Sequence, residues 1–243
     1  SNVIIANSIG KNDVKAVKKA VHSSIIMAVL GGILVAIIGE LMVGGLLNML
    51  NVPEDVLDFA KLYIRIYLIG MPVILLYNFE AAIFRSIGDT KVPLIALAFS
   101  GVLNVILNLF FLFFFKMTVN GVALSTVISN AVSASILFAK LLKTDKIIHI
   151  ELNQLRLDKI SVINILKIGL PAGIQSAVFA IANIVIQASI NSLGTVVIAA
   201  SSAAFNIEVF AYDVLNSFSQ ACTTFVGQNY GAGNLKRCRR TFC

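Results

Sequence analysis

Residues 92–115 read VPLIALAFSGVLNVILNLFFLFFF, a run without a single charged side chain. As a helix it would rise about 36 Å, enough to cross a hydrocarbon core of roughly 30 Å. The run is unbroken and lacks the two-residue alternation of a barrel strand, so helix is the reading. Five more long apolar runs, each with one or more charges, flank it at 25–50, 57–84, 122–142, 163–193 and 196–226. The last two are longer than a span needs, so tilt or a partly wet end is expected. Gly194 and Thr195 give the best break between them. The fold class is therefore an all-α, polytopic membrane helix bundle.

Composition agrees with that reading. The 243 residues are 58% hydrophobic and 13% charged, with a mean hydropathy of +0.91. A soluble domain carries about 25% charged residues. So few charges cannot cover a water-facing surface, and membrane lipid is the first partner implied.

The net charge of +7 belongs to topology rather than to nucleic acid, for which there is no motif. All but Lys61, Arg65 and Lys116 of the 19 Lys and Arg residues fall on one side of an even alternation of six spans. The positive-inside bias puts both ends of the chain in the cytoplasm, in a multi-pass protein of the plasma (inner) membrane. Cys222, Cys238 and Cys243 form no CxxC and are expected to be reduced there. With only His22 and His149 in the chain, no metal site is expected. The chain opens inside an apolar phrase, Val3-Ile4-Ile5-Ala6, and reads as a fragment of a longer protein.

The polar segments divide the chain. Residues 1–24 read as the end of a helix and a cytoplasmic loop, 25–142 as four spans, and 143–162 as a cytoplasmic linker. Two further spans follow over 163–227, then a cytoplasmic turn over 228–243. The linker is basic and amphipathic and is expected to lie along the membrane surface. Asn51-Val52-Pro53-Glu54-Asp55 reads as a loop and helix start. An internal repeat is also visible. Asn7-Ser8-Ile9-Gly10, with Lys15 and then Lys18-Lys19, aligns with Gln228-Asn229-Tyr230-Gly231, with Lys236 and then Arg239-Arg240. Internal repeats are common in secondary transporters.

Polar residues inside the spans are the candidate functional groups. Asn104 and Asn108 lie four apart on one helix face. Thr126, Ser129, Asn130 and Ser133 follow helical spacing on the next run. Facing amides and hydroxyls would hold a small cation, or they would be interhelical hydrogen-bond glue; spacing alone leaves both open. Glu80 is an acid within a span, either facing a cavity or serving as a structural ion-pair partner. Gln175, Asn183 and Gln187 form a polar stripe on the fifth run. Asn206, Glu208, Tyr212 and Asp213 make the sixth too polar for lipid on every face. A water-filled cavity suits these residues better than tight packing. Its acids would attract organic cations, and Tyr212 or Phe210 could add a cation–π contact.

Three phrases resemble one family. Arg85-Ser86-Ile87-Gly88-Asp89-Thr90-Lys91-Val92-Pro93-Leu94 resembles the loop signature of the multidrug and toxic compound extrusion (MATE) transporters. Gly169-Leu170-Pro171-Ala172-Gly173 resembles the start of that family's seventh helix. Gly227-Gln228-Asn229-Tyr230-Gly231-Ala232-Gly233 resembles the turn after its eighth.

The resemblance implies a twelve-helix protein of two pseudo-symmetric six-helix lobes, of which this chain carries the end of helix two through helix eight. It also implies gradient-driven export of amphipathic, mostly cationic compounds. On it, Asn104 and Asn108 match an Asn-x-x-x-Asp pair that helps bind the coupling cation, and Thr126 matches a Thr of the same cluster. Asn108 replaces the Asp, so one negative charge is lost. Phe179 stands where sodium-coupled members carry a Glu.

The expectation is a secondary antiporter with a cation site at Asn104, Asn108, Thr126 and Glu80. Its substrate cavity would be lined by Gln175, Asn183, Gln187, Asn206, Glu208, Tyr212 and Asp213. The coupling ion would be Na+ or H+, with no cofactor and no obligatory protein partner. Rival readings are a lipid-linked saccharide flippase, which would want a basic cavity, and a non-transporting membrane protein. An enzyme is not expected, because no catalytic set converges within the spans. No GxxxxGK[ST] phosphate loop supports ATP-driven pumping.

Overall fold

In the computed structural model the described residues are 1–49, 54–191, 193 and 195–241. Nine α-helices are found among them. The chain enters as α1 (Asn2–Gly10) and turns at Lys11–Asp13, where Asn12 takes a positive φ of 56°. Asn tolerates this left-handed conformation better than most residues. The Asp13 carboxylate accepts from the Ala16 N–H at 3.0 Å and caps α2 (Val14–Met49). The loop expected at 51–53 lies outside the described residues.

The run 57–84, read from sequence as one continuous span, is two helices. α3 (Glu54–Ile69) and α4 (Met71–Ser86) meet at Gly70 with a bend of 49°. Pro72 is the cause on the α4 side: it has no N–H to donate and restricts the residue before it. Gly70 lets α6 close in, since a Cβ there would sit 2.5 Å from Val127 Cγ2.

α5 (Lys91–Phe115) and α6 (Val119–Lys143) form a tight hairpin. Lys116 takes the left-handed conformation, and the Met117 N–H that follows it donates to Phe111 O at 3.1 Å. α7 (Lys159–Asn191) carries Pro171 inside it, and α8 (Thr195–Gly231) and the short α9 (Leu235–Arg240) complete the order. Gly194 itself lies outside the described residues. Five helices are long and apolar enough to span a membrane, and the bent α3–α4 pair makes a sixth.

The basic ends of α4, α6 and α9 mark one end of the bundle, called the inner end below. The packed core sits there: Ile5, Val17, Val21, Ile83, Leu137 and Leu141 are all fully buried. Toward the other end the α5 surface is apolar and open, with Phe113 and Phe114 more than 70% exposed. Cys222 and Cys238 are free thiols, and Cys243 lies outside the described residues.

The linker packs on the protein itself. It is a largely extended strap with one short turn at Leu152–Gln154, pinned across the inner end of the first four spans. Ile148 and Ile150 are buried, and the Ile150 N–H donates to Leu141 O at 3.1 Å. Lys146 pairs with Asp89 at 2.8 Å, Lys18 with Glu151 at 2.6 Å and Lys19 with Asp158 at 3.1 Å. The Glu151 N–H donates to His22 Nε2 and the Asp158 N–H to Ser23 Oγ. Alternate apolar residues turn inward while the charges find partners on α2 and the α4–α5 turn.

The candidate ion site and the polar faces of the last two spans

Helical spacing places Asn104 and Asn108 one turn apart on α5, facing α6. Asn108 Nδ2 donates to Asn104 Oδ1 at 3.0 Å. Asn104 Nδ2 reaches Thr126 Oγ1 at 3.5 Å, a long contact across the hairpin. Thr126 in turn donates to Val122 O within its own helix. The chain of bonds ends at Asn108 Oδ1, which is buried and has no donor. An amide oxygen without a donor in an apolar interior costs about 1–3 kcal/mol. It is a ready ligand for a hard cation, which prefers oxygen.

The rest of the α6 stripe divides. Asn130 bonds back to Thr126 O, whereas Ser129 and Ser133 are buried in the bundle. The structure therefore brings together Asn104, Asn108 and Thr126.

It does not bring Glu80 to them. Glu80 lies six residues from the inner end of α4, and Asn108 seventeen residues from the inner end of α5. At 1.5 Å per residue the two differ by roughly 16 Å in depth. Glu80 is fully buried, and neither carboxyl oxygen has a partner. Arg85 makes no ion pair with it. Glu40, the other acid within the early spans, is paired with Arg65 at 2.8 Å between α2 and α3. No spacing along the chain links those two, since they lie on different helices.

Gln175, Asn183 and Gln187 on α7, and Asn206, Glu208, Tyr212 and Asp213 on α8, are all exposed. So is Phe179. Both helices touch the first four spans at the inner end, where α8 crosses α1. There the two repeat phrases meet. A Cβ on Gly10 would overlap the carbonyl oxygen of Gln228, and one on Gly231 would overlap that of Asn7. Asn7 and Gln228 are equivalent positions of the repeat, as are Gly10 and Gly231, so the crossing is reciprocal. Asn2 Nδ2 donates to Thr224 Oγ1 at 3.0 Å, and Gln228 Nε2 to Ser86 O at 2.7 Å. The repeat was visible in the sequence; that its two copies pack on each other was not.

Outside the spans, Asp89, Glu151 and Asp158 are held ionised. Asp89 lies below the ordinary carboxylate range chiefly through its hydrogen bond from Lys146, and Glu151 through the one from Lys18. Asp158 is lowered first by the Ser161 N–H, then by the Ser161 hydroxyl and Lys19.

A bundle of membrane-spanning helices, with polar groups at mid-span and two repeat copies crossing at one end, has the construction of a secondary transporter. The family model described as MatE matches residues 1–110 and 171–243, and the chain belongs to that family. The probable multidrug resistance protein YpnP of Bacillus subtilis (strain 168) is 29% identical over 234 residues, covering 96% of this chain and 52% of that protein. The probable multidrug resistance protein NorM of Thermotoga maritima is 28% identical over 244 residues, covering 96% and 51%. The chain thus spans about half the length of the curated relatives it matches. Among solved structures, the outward-facing conformation of a multidrug resistance MATE family transporter of the MOP superfamily matches with a TM-score of 0.87. Its identity is 21%, over 99% of this chain and 54% of that one, and it shares the fold.

Proposed function

We propose that the protein is a secondary antiporter that exports amphipathic, mostly cationic organic compounds in exchange for Na+ or H+. The observation that carries this reading is the mid-span cluster of Asn104, Asn108 and Thr126, with a buried oxygen left open for a cation. The names of its relatives as multidrug resistance proteins support the substrate class. Glu208 and Asp213 on α8 would draw cations toward a cavity among Gln175, Asn183, Gln187, Asn206 and Tyr212. The bias of Lys and Arg toward the inner end supports a plasma-membrane protein with that end in the cytoplasm.

Substrate class is tested with the full-length protein in liposomes, offered a fluorescent organic cation in one set and a labelled lipid-linked saccharide in the other. Movement of the cation alone is the expected result. Movement of the saccharide alone would replace the efflux reading with the flippase.

A further inference from the structure

We infer that Glu80 is a proton-binding site of the first four spans, separate from the Asn104–Asn108–Thr126 cluster. The inference rests on the antiport reading and names H+ as an ion this protein carries.

The carboxyl is fully enclosed, and neither oxygen accepts a hydrogen bond. A bare carboxylate in such surroundings is unstable by many kcal/mol unless paired. The helices packed around α4 supply no pair. α1 has no ionisable side chain. On α2, Lys15 is exposed, Lys18 and Lys19 are committed to Glu151 and Asp158, and His22 Nε2 accepts from the Glu151 N–H. Lys91 of α5 and Lys140 and Lys143 of α6 are exposed at the inner surface. On α3, Arg65 is taken by Glu40, and Asp58 and Lys61 belong to the outer half.

One neighbour shares the isolation of Glu80. The α2 backbone at Gly32 lies against Pro72 of α4. The two helices run antiparallel, and eight residues inward from that contact on each lie Ser24 and Glu80, at the same depth. Ser24 Oγ is also buried and also without a partner. A metal cation needs several oxygens at once, and a carboxyl with one hydroxyl at its depth is too few. A proton needs only one carboxylate oxygen. The charge balance closes with no other group: the proton is carried on Oε1 or Oε2 and leaves when the opposite state of the bundle opens that level to water.

The test uses the full-length protein, wild type beside Glu80→Gln and Glu80→Asp. Acid–base infrared difference spectra read the C=O stretch of a protonated carboxyl directly, without any transport. The expected result is a band at neutral pH in the wild type, lost in Glu80→Gln and shifted in Glu80→Asp. In liposomes, proton-driven export should fall at least tenfold in Glu80→Gln and recover in Glu80→Asp. An unchanged band in Glu80→Gln would overturn the assignment, and so would export that keeps its full dependence on the proton gradient in that variant. Were the wild type to export nothing under any gradient, the antiport reading would fall, and the infrared band would still decide Glu80.

Discussion

Asn108 shows what one substitution does to a binding site. Its Oδ1 is the only oxygen of the amide cluster that is buried without a donor, and the resemblance places a carboxylate at this position. Asn108→Ala should remove that ligand and the bond to Asn104, weakening the apparent affinity for the activating cation by roughly tenfold, about 1.4 kcal/mol. Asn108→Asp should strengthen it and make transport more sensitive to the external cation. Cation titrations of transport rate in the two variants check this, and equal behaviour would leave the amides as interhelical glue. The cluster was legible because a four-residue spacing fixes a helix face whatever the tertiary structure. The isolation of Glu80 was not, because whether a buried acid meets a base depends on neighbours from five other helices.

At the scale of the element, the six apolar runs were plain from composition, and each is helical over its described residues apart from the break at Gly70 and the turn at Leu193. The bend at Gly70 was not read, although Gly70 and Pro72 were both in view. Such a pair is tolerated in many spanning helices, and here the bend answers the approach of α6. The packing of the linker onto the bundle was not legible for a related reason: its amphipathic pattern fits a lipid surface or a protein surface equally well.

Its three ion pairs have a consequence in acid. The folded state holds Asp89, Glu151 and Asp158 below their unfolded values. Their stabilisation is therefore complete above about pH 4 and is lost as pH falls through the lower folded values. A spin label at Leu152→Cys should stay equally immobile between about pH 6 and 8, and gain mobility below about pH 4. Gain of mobility on the alkaline side instead would contradict the pairing.

For the whole molecule, the informative feature is the crossing of α1 and α8. Two copies of one phrase pack reciprocally, each glycine against the other copy's carbonyl. Gly10→Leu or Gly231→Leu cannot be accommodated without parting the helices, at a cost of about 1–3 kcal/mol or more for overpacking. Either variant should slow export while leaving the amide cluster intact. Thiol accessibility at position 228, read in Gln228→Cys with and without Gly10→Leu, should rise in the double variant; an unchanged rate would show that the crossing is not where the bundle closes. The exposure of the polar residues on α7 and α8 could not be read from their spacing, because it depends on packing between helices rather than on spacing along one.

Coupling itself is the claim on which the rest depends. The measurement is simultaneous: full-length protein in liposomes, a fluorescent organic cation followed in one direction and Na+ or H+ in the other, with each gradient imposed and then reversed. The account expects the organic cation to move against the direction of the driving ion, to reverse when the gradient reverses, and to stop when the gradient is collapsed. Movement that ignores the direction of both gradients would contradict it.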